Sequence, residues 1–332
     1  MPDSRLRILM ISKACLVGAY QRKLEEIAAY PDIALTVIVP RQWRDQRGNL
    51  ELERAHTQGY RLIAEPIRFN GHFHLHYYPR IKQRIVEAWP DIVHIDEEPY
   101  NFAAYHTLRA AQQAGGARAL FFSWQNILRR YPPPFAQMER YVLRHAHYAI
   151  AGTQEAAEVW RAKGCQGPIA VIPQFGVDPD IFSPEDVGGR DRQVFTIGYA
   201  GRLVSEKGVD LLLRAAAEMP GDWQVRIAGD GPARGDLARL AAQLDIAHRV
   251  IFEGHIPSMR MAAYYHRLDA LVLPSRSRPN WKEQFGRLLI EAMACGVPVV
   301  GAQSGAIPGV IGEAGLTFPE DDVAALRNHL MA

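Results

Sequence analysis

Glu283 and Glu291 stand eight positions apart in the stretch Glu283-Gln-Phe-Gly-Arg-Leu-Leu-Ile-Glu291-Ala-Met-Ala-Cys-Gly-Val-Pro-Val-Val300. Phe285 and Gly286 come just after the first glutamate, and a helix-forming run leads into the second. A helix beginning near Gly286 exposes first-turn N–H groups that have no internal partner and carry a partial positive charge, which suits a phosphate. Gly286 lets the backbone approach closely. Glu291, about one and a half turns in, can point the same way, while Glu283 sits before the helix and can reach a group beyond the phosphate. Two acceptors flanking an anion hole suit a ligand with hydroxyls at both ends of a diphosphate, as in a nucleotide sugar. A capped core helix with two solvated glutamates fits the same letters.

A second constellation is Gly198-Tyr-Ala-Gly-Arg202-Leu-Val-Ser-Glu-Lys207-Gly208, directly after a strand-like run. Arg202 offers a planar fork and Lys207 a mobile point charge, the two ways of neutralising a diphosphate. Gly201 and Gly208 allow the loop between them to turn. Read alone, the loop is equally a surface turn with two solvated cations; beside a second phosphate-type site in the same half, the binding reading is the stronger.

These residues need a scaffold, and the rest of the chain describes one. Short β-rich apolar runs alternate with longer amphipathic stretches from end to end, the pattern of a parallel sheet covered by helices. In the first half the runs include Arg7–Ser12, Ala34–Pro40, Tyr60–Phe69, Ile92–Asp96 and Ala117–Trp124. The second half repeats the rhythm with Val194–Gly201, Trp223–Gly229, Ala270–Ser275 and Pro298–Ala302. Between the halves lies a Pro-, Gly- and Asp-rich segment without apolar period. The expected domains are therefore 1–175, a linker 176–193 and 194–332. The expected fold is α/β, two doubly wound Rossmann-like domains facing each other across a cleft, with the carboxyl ends of the strands as binding edges.

Composition bounds the chemistry. At 332 residues, 48% hydrophobic and 22% charged, the chain is long enough for roughly two folded domains and too ordinary in composition for disorder. Thirty-eight Lys plus Arg against 36 Asp plus Glu leave +2, far from the excess that nucleic acid recruits, so no nucleic-acid partner is expected. Three cysteines without CxxC spacing exclude a cysteine zinc cage and a fully paired disulfide framework, and fit a reducing cytoplasm. The Ile8–Ile11 run is too short for a signal segment or a membrane span, so any membrane contact, such as at an inner membrane face, is expected through a surface patch.

The two constellations together resemble the retaining glycosyltransferases of family 4, which have the two-domain GT-B fold. The resemblance spans nearly the whole chain: Gly201-Arg202-Leu203…Glu206-Lys207-Gly208, Ile227-Ala-Gly-Asp-Gly-Pro232, the Phe252-Glu-Gly254 turn, the Glu283…Glu291 pair running on to Pro298, and Gly305…Pro308. It implies that Arg202 and Lys207 bind the donor diphosphate, Glu283 the transferred sugar and Glu291 the ribose hydroxyls. It further implies that the backbone around Phe285, Gly286 and Arg287 holds the phosphate, and that residues near His255 and Ile256 flank the nucleobase. The activity implied is transfer of a hexose from a UDP- or GDP-sugar to an acceptor hydroxyl of a glycan, a lipid-linked sugar or a small molecule, with no metal and no other cofactor. Members of the family usually continue past the equivalent of residue 332 with helices that cross back to the first domain, so a mobile interdomain angle or self-association is an expectation for this chain.

On the acceptor side the chain departs from its relatives. Many have a histidine followed by an aspartate at the end of the fifth strand, where this chain reads Phe122-Ser-Trp124-Gln125-Asn126. Gln125 and Asn126 can hydrogen-bond but cannot serve as general bases near neutral pH. Gly18 can admit a phosphate or sugar near the backbone, or simply turn the chain. In His94-Ile-Asp-Glu97-Glu98, either glutamate can orient an acceptor hydroxyl or merely cap the following helix. Because of this departure a non-catalytic sugar-nucleotide-binding protein stays open, as do, among enzymes, an epimerase or a phosphorylase.

Three lookalikes point elsewhere. Gly229-Asp-Gly231-Pro-Ala-Arg-Gly235 has one residue too many for the dinucleotide fingerprint. Asp178-Pro-Asp180 matches a metal-binding pattern of another fold but reads as an ordinary turn. His72-Phe-His74-Leu-His76 on a strand would put three imidazoles on one face, though no carboxylate ligand is near in sequence. Arg129-Arg-Tyr-Pro-Pro-Pro-Phe135 mixes cations with apolar groups and reads as a rigid loop, with contact to a lipid surface as the alternative.

Overall fold

The computed structural model describes residues 5–45, 48–185, 194–257 and 260–332. The chain divides into two compact units, Met1–Ile172 and Pro173–Ala332. Of the expected linker 176–193, residues 186–193 lie outside the described residues.

The first unit is built on strands β1 (Leu6–Ser12), β2 (Ile33–Pro40), β5 (Arg61–Glu65), β6 (Ile92–Asp96), β7 (Arg118–Ser123), β8 (Tyr148–Ala151) and β9 (Ile169–Val171), with a side hairpin of β3 (Gln42–Asp45) and β4 (Gly48–Glu51). The main sheet runs β5-β2-β1-β6-β7-β8-β9, and every pairing in it is parallel. Helices cover both faces, so the central strands are apolar on both sides: Leu9, Ile11, Val93, Ile95 and Phe121 are fully buried. The chain winds outward from β1 in one direction through β2 and β5, then returns to β6 and winds the other way. The loops after β1 and β6 therefore part from each other and leave a crevice at the carboxyl edge.

The second unit repeats this plan with β10 (Phe195–Ala200), β11 (Trp223–Ala228), β12 (Val250–Gly254), β13 (Ala270–Leu273), β14 (Val299–Ala302) and β15 (Leu316–Phe318), in the order β12-β11-β10-β13-β14-β15. Its switch point lies between β10 and β13. The last helix, Val323–Met331, is capped by Asp322, whose carboxylate accepts from the Ala325 N–H at 2.9 Å, and it buries Leu326 and Leu330 in this unit's core.

Two local expectations are corrected, one hairpin was not foreseen and one turn stands as read. The run read as Tyr60–Phe69 pairs only over Arg61–Glu65, because Pro66 has no N–H to continue the ladder. His72–His76 is not a strand: Leu75 N–H and His76 N–H both donate to His72 O at 3.0 Å, so the segment closes on itself in turns and the three imidazoles share no face. The β3–β4 hairpin, antiparallel from Gln42↔Glu51 to Asp45↔Gly48, has no apolar alternation and was not legible as strand. The Asp178-Pro-Asp180 turn is a turn: Asp180 N–H donates to Asp178 Oδ1 at 3.0 Å.

Candidate active site

At the carboxyl edge of the second sheet, the loops after β10, β13 and β14 converge on Glu283. Lys207 Nζ lies 2.5 Å from Glu283 Oε2, and Ser275, fully buried just beyond β13, donates its hydroxyl to the same oxygen at 3.1 Å. The glutamate's backbone is held as firmly. Ala306 N–H donates to Glu283 O at 3.0 Å, and Gly305, at φ +52°, packs so closely that a Cβ there would come 2.2 Å from that oxygen. Only glycine fits, which explains the position in physical terms.

Arg276 locks the lysine's loop to the loop after β13. Its guanidinium grips Asp210 with two bonds of 2.6 and 2.8 Å and reaches Asp321 at 2.5 Å, and its N–H donates to Glu206 O at 2.8 Å. These bonds to the charged form hold the guanidinium's pKa above its ordinary value, although burial opposes them. Arg202, by contrast, is exposed and makes no ion pair among the described residues; its carbonyl accepts from Tyr199 OH at 3.0 Å. One cation is pinned and the other is free to be claimed.

The helix Arg287–Ala294 begins at Gly286, which caps it in the left-handed conformation at φ +77° and without a side-chain bond. Its positive end thus faces the same edge without a side-chain cap. Phe285, buried beside it, packs against Phe175 with ring centroids 5.7 Å apart. Glu291 is buried and engaged at both oxygens: Tyr265 OH donates to Oε2 at 2.7 Å, and Arg287 pairs with Oε1 at 2.7 Å. Burial, with the charge of Glu291 added, pushes the nearby Cys295 thiol up to about 11, so it stays neutral at physiological pH. His255 is exposed and Ile256 half-buried, just beyond β12 at the sheet's edge.

The carboxyl edge of the first sheet is built differently. Glu97 is buried against His76, whose Nε2 lies 3.2 Å away while its Nδ1 contacts Phe73 O at 2.9 Å. Burial works to raise the Glu97 pKa, yet the charges of His76 and Lys13 hold it below its ordinary value. Glu98 accepts from Ser123 Oγ and from Trp124 N–H, the latter at 2.9 Å. Burial outweighs both donors and lifts its pKa to about 7. Neither carboxylate caps the next helix, whose Asn101 cap has no side-chain bond. The Trp124 ring lies on Gly152, where a Cβ would come within 2.3 Å of it. Gln125 is turned inward, Nε2 donating to Ile127 O at 2.7 Å, and Asn126 donates to Glu155 at 3.3 Å. At Gly18 the space expected for a ligand is filled: its N–H donates to Glu53 Oε2 at 2.5 Å, and a Cβ would meet Glu53 and Ala55 at 2.8 Å. Burial pushes His94 down to about 4, so it is neutral at physiological pH.

The sequence reading missed Ser275, Arg276 and Lys13, and it weighed His76 as a metal ligand where the structure sets it against Glu97. A usable signal existed for two of them: Ser275 and Arg276 are among the first polar residues after the apolar run of β13, at the edge where such folds bind ligands. Among the described residues no group of three or more His, Cys, Asp or Glu could hold a metal ion, and no helix is long and apolar enough to cross a membrane.

Comparison with known proteins bears on this geometry. Residues 194–332 match the family described as "Glycosyl transferases group 1", and residues 31–215 match "Glycosyltransferase Family 4". A GDP-mannose-dependent alpha-(1-6)-phosphatidylinositol monomannoside mannosyltransferase of Mycolicibacterium smegmatis is 35% identical over 176 residues, 48% of this chain and 46% of that one. D-inositol 3-phosphate glycosyltransferase of the same organism is 36% identical over 193 residues, 53% of this chain and 42% of that one. The matched stretches thus span less than half the length of these two relatives. Among solved structures, sucrose-phosphate synthase of Thermosynechococcus elongatus superposes with a TM-score of 0.69 at 22% identity, over 98% of this chain and 89% of that one. HepE of Anabaena in complex with UDP gives 0.71 at 19% identity over the same shares. At such identities the structural likeness speaks for the fold, two Rossmann-like units of GT-B type.

Proposed function

The chain belongs to glycosyltransferase family 4, among the group 1 glycosyl transferases, and from that premise we propose that it moves a hexose from a UDP- or GDP-sugar to an acceptor hydroxyl with retention at the anomeric carbon. The observation that carries this reading is the Lys207–Glu283 pair beside the positive end of the Arg287–Ala294 helix at the switch point of the second sheet. Cation and helix end suit the diphosphate, and the carboxylate suits sugar hydroxyls. Glu291 is assigned to the ribose, and His255 and Ile256 to the base.

In the proposed reaction the bond from the anomeric carbon to the β-phosphate oxygen breaks, its electrons staying with the phosphate. The acceptor oxygen bonds to that carbon on the same face, and its proton passes to the departing phosphate. Arg202, Lys207 and the helix end stabilise the charge that grows on the phosphate, and one well-placed donor contributes about 3 kcal/mol in such a role. No metal or other cofactor enters this scheme. The first unit supplies the acceptor contacts, for a glycan, lipid-linked sugar or small molecule in the cytoplasm or at the inner membrane face. Relatives by name act on inositol-derived acceptors, which puts polyols among the first to try.

The chain just after β7 reads Trp124-Gln125-Asn126, with no histidine or carboxylate, and this favours a second reading, a binding protein without catalysis. Incubation with UDP-glucose or GDP-mannose and candidate acceptors separates the two. Release of UDP or GDP supports the transferase, whereas tight binding without release supports the binder.

A further inference from the structure

Trp281 takes no part in the motifs that relate this chain to its family, yet the structure places it inside the candidate site. Arg278 N–H donates to Trp281 O at 2.7 Å, and Trp281 N–H donates back to Arg278 O at 3.1 Å. The pair closes a tight turn over Pro279-Asn280 and sets the indole at its end. The turn's base is bolted down: Arg276 holds Asp210 and Asp321, while Ser277 donates N–H to Glu320 at 2.7 Å and hydroxyl at 2.5 Å. The half-buried ring faces Lys207, whose Nζ lies 5.0 Å from the ring centroid and 2.5 Å from Glu283 Oε2.

The lysine thus bridges a carboxylate and an aromatic face, two surfaces that a sugar ring uses together. A carboxylate takes hydroxyls, and the electron-rich face of an indole takes the polarised C–H groups of the opposite side of a pyranose. A diphosphate that claims the Lys207 ammonium releases both surfaces at once. The indole's neighbours say which end of a donor it meets. Trp281 follows β13 and His255 follows β12, three strand spacings away in the order β12-β11-β10-β13, about 14 Å along the edge. Trp281 shares its loop and its lysine with Glu283, so on the assignment of Glu283 to the transferred sugar the indole meets the sugar.

We propose that Trp281 is a specificity-determining residue, the stacking platform for the transferred hexose. This rests on the donor-site reading above. The platform favours hexoses whose apolar face is continuous, and it acts on the sugar rather than on the nucleotide.

The test compares UDP with UDP-glucose and GDP with GDP-mannose, by calorimetry, on the wild-type chain and on Trp281→Leu and Trp281→Phe. The expected result is diphosphate affinity within twofold of wild type in both variants. Trp281→Leu loses roughly tenfold in affinity for the matching sugar nucleotide, the size of one aromatic contact, and Trp281→Phe recovers most of it. Indole emission that changes on adding the sugar nucleotide to wild type should not change in Trp281→Phe. Equal losses for diphosphate and sugar nucleotide would make the ring a prop for Lys207 and overturn the platform alone, as would unchanged affinity for both. A wild-type chain that binds neither UDP nor GDP would overturn the donor reading and the platform with it.

Discussion

The two carboxyl edges of this molecule differ in how their glutamates are partnered. In the second unit a cation meets a carboxylate directly, Lys207 on Glu283, while Arg202 stays exposed and a helix presents its positive end. In the first unit Lys23 Nζ lies 3.5 Å from Asp96 Oδ2, but Glu98 meets neutral donors, Ser123 and Trp124 N–H, and Glu97 is closed off by His76. The second edge keeps an exposed guanidinium and a helix end uncapped by any side chain, whereas the first buries a carboxyl among neutral donors. The difference teaches that one fold used twice does not duplicate its chemistry, because the loops beyond the strands and not the sheet set the charge.

The largest expected effect separates sugar chemistry from nucleotide binding. Glu283→Gln should lower turnover by at least a hundredfold, on the order of 3 kcal/mol, while UDP or GDP affinity stays within a few-fold. Steady-state kinetics beside calorimetry check it, and equal losses in both would move Glu283 off the sugar.

Next comes the first edge, where the contrast can be read in pH. A carboxyl whose pKa rises from 4.5 in the open chain to about 7 in the fold favours the folded state while it is neutral. That stabilisation is complete below pH 4.5 and fades as pH rises through about 7, with roughly 3 kcal/mol as its ceiling. Glu98→Gln keeps a neutral group on Trp124 N–H, and Ser123 can turn its hydroxyl to accept. Denaturant titrations from pH 4.5 to 8 should show the wild type losing stability relative to this variant; parallel curves would mean that Glu98 ionises without cost.

Lys207→Met tests the cations of the second edge. UDP or GDP should bind about thirtyfold more weakly, near 2 kcal/mol, since one ionic hydrogen-bond donor is lost. Arg202→Ala should weaken the nucleotide in the same direction without shifting the melting temperature, because the exposed guanidinium pairs with nothing in the described fold. Unchanged affinity in both variants would remove the cations from the site. The smallest expected effect is none at all: activity should survive EDTA, and full loss with rescue by manganese would contradict a clamp made of cations and a helix end.

The sequence by itself determined the parts that are local. The Glu283 to Glu291 stretch lies on one loop and one helix, so a helix beginning near Gly286 could be read from spacing and residue type. The apolar runs of the strands were legible for the same reason, since burial on both faces leaves a continuous apolar signature. Only the tertiary structure decided what meets what. It brought Lys207 to Glu283 across 76 positions, His76 to Glu97 across 21 and Glu53 to Gly18 across 35. It also turned Glu291 toward Tyr265 and built a hairpin from a segment with no strand period. Such contacts depend on strand order and on which loops share a sheet edge, and a side chain's partner across that edge leaves no periodic trace in its own neighbourhood.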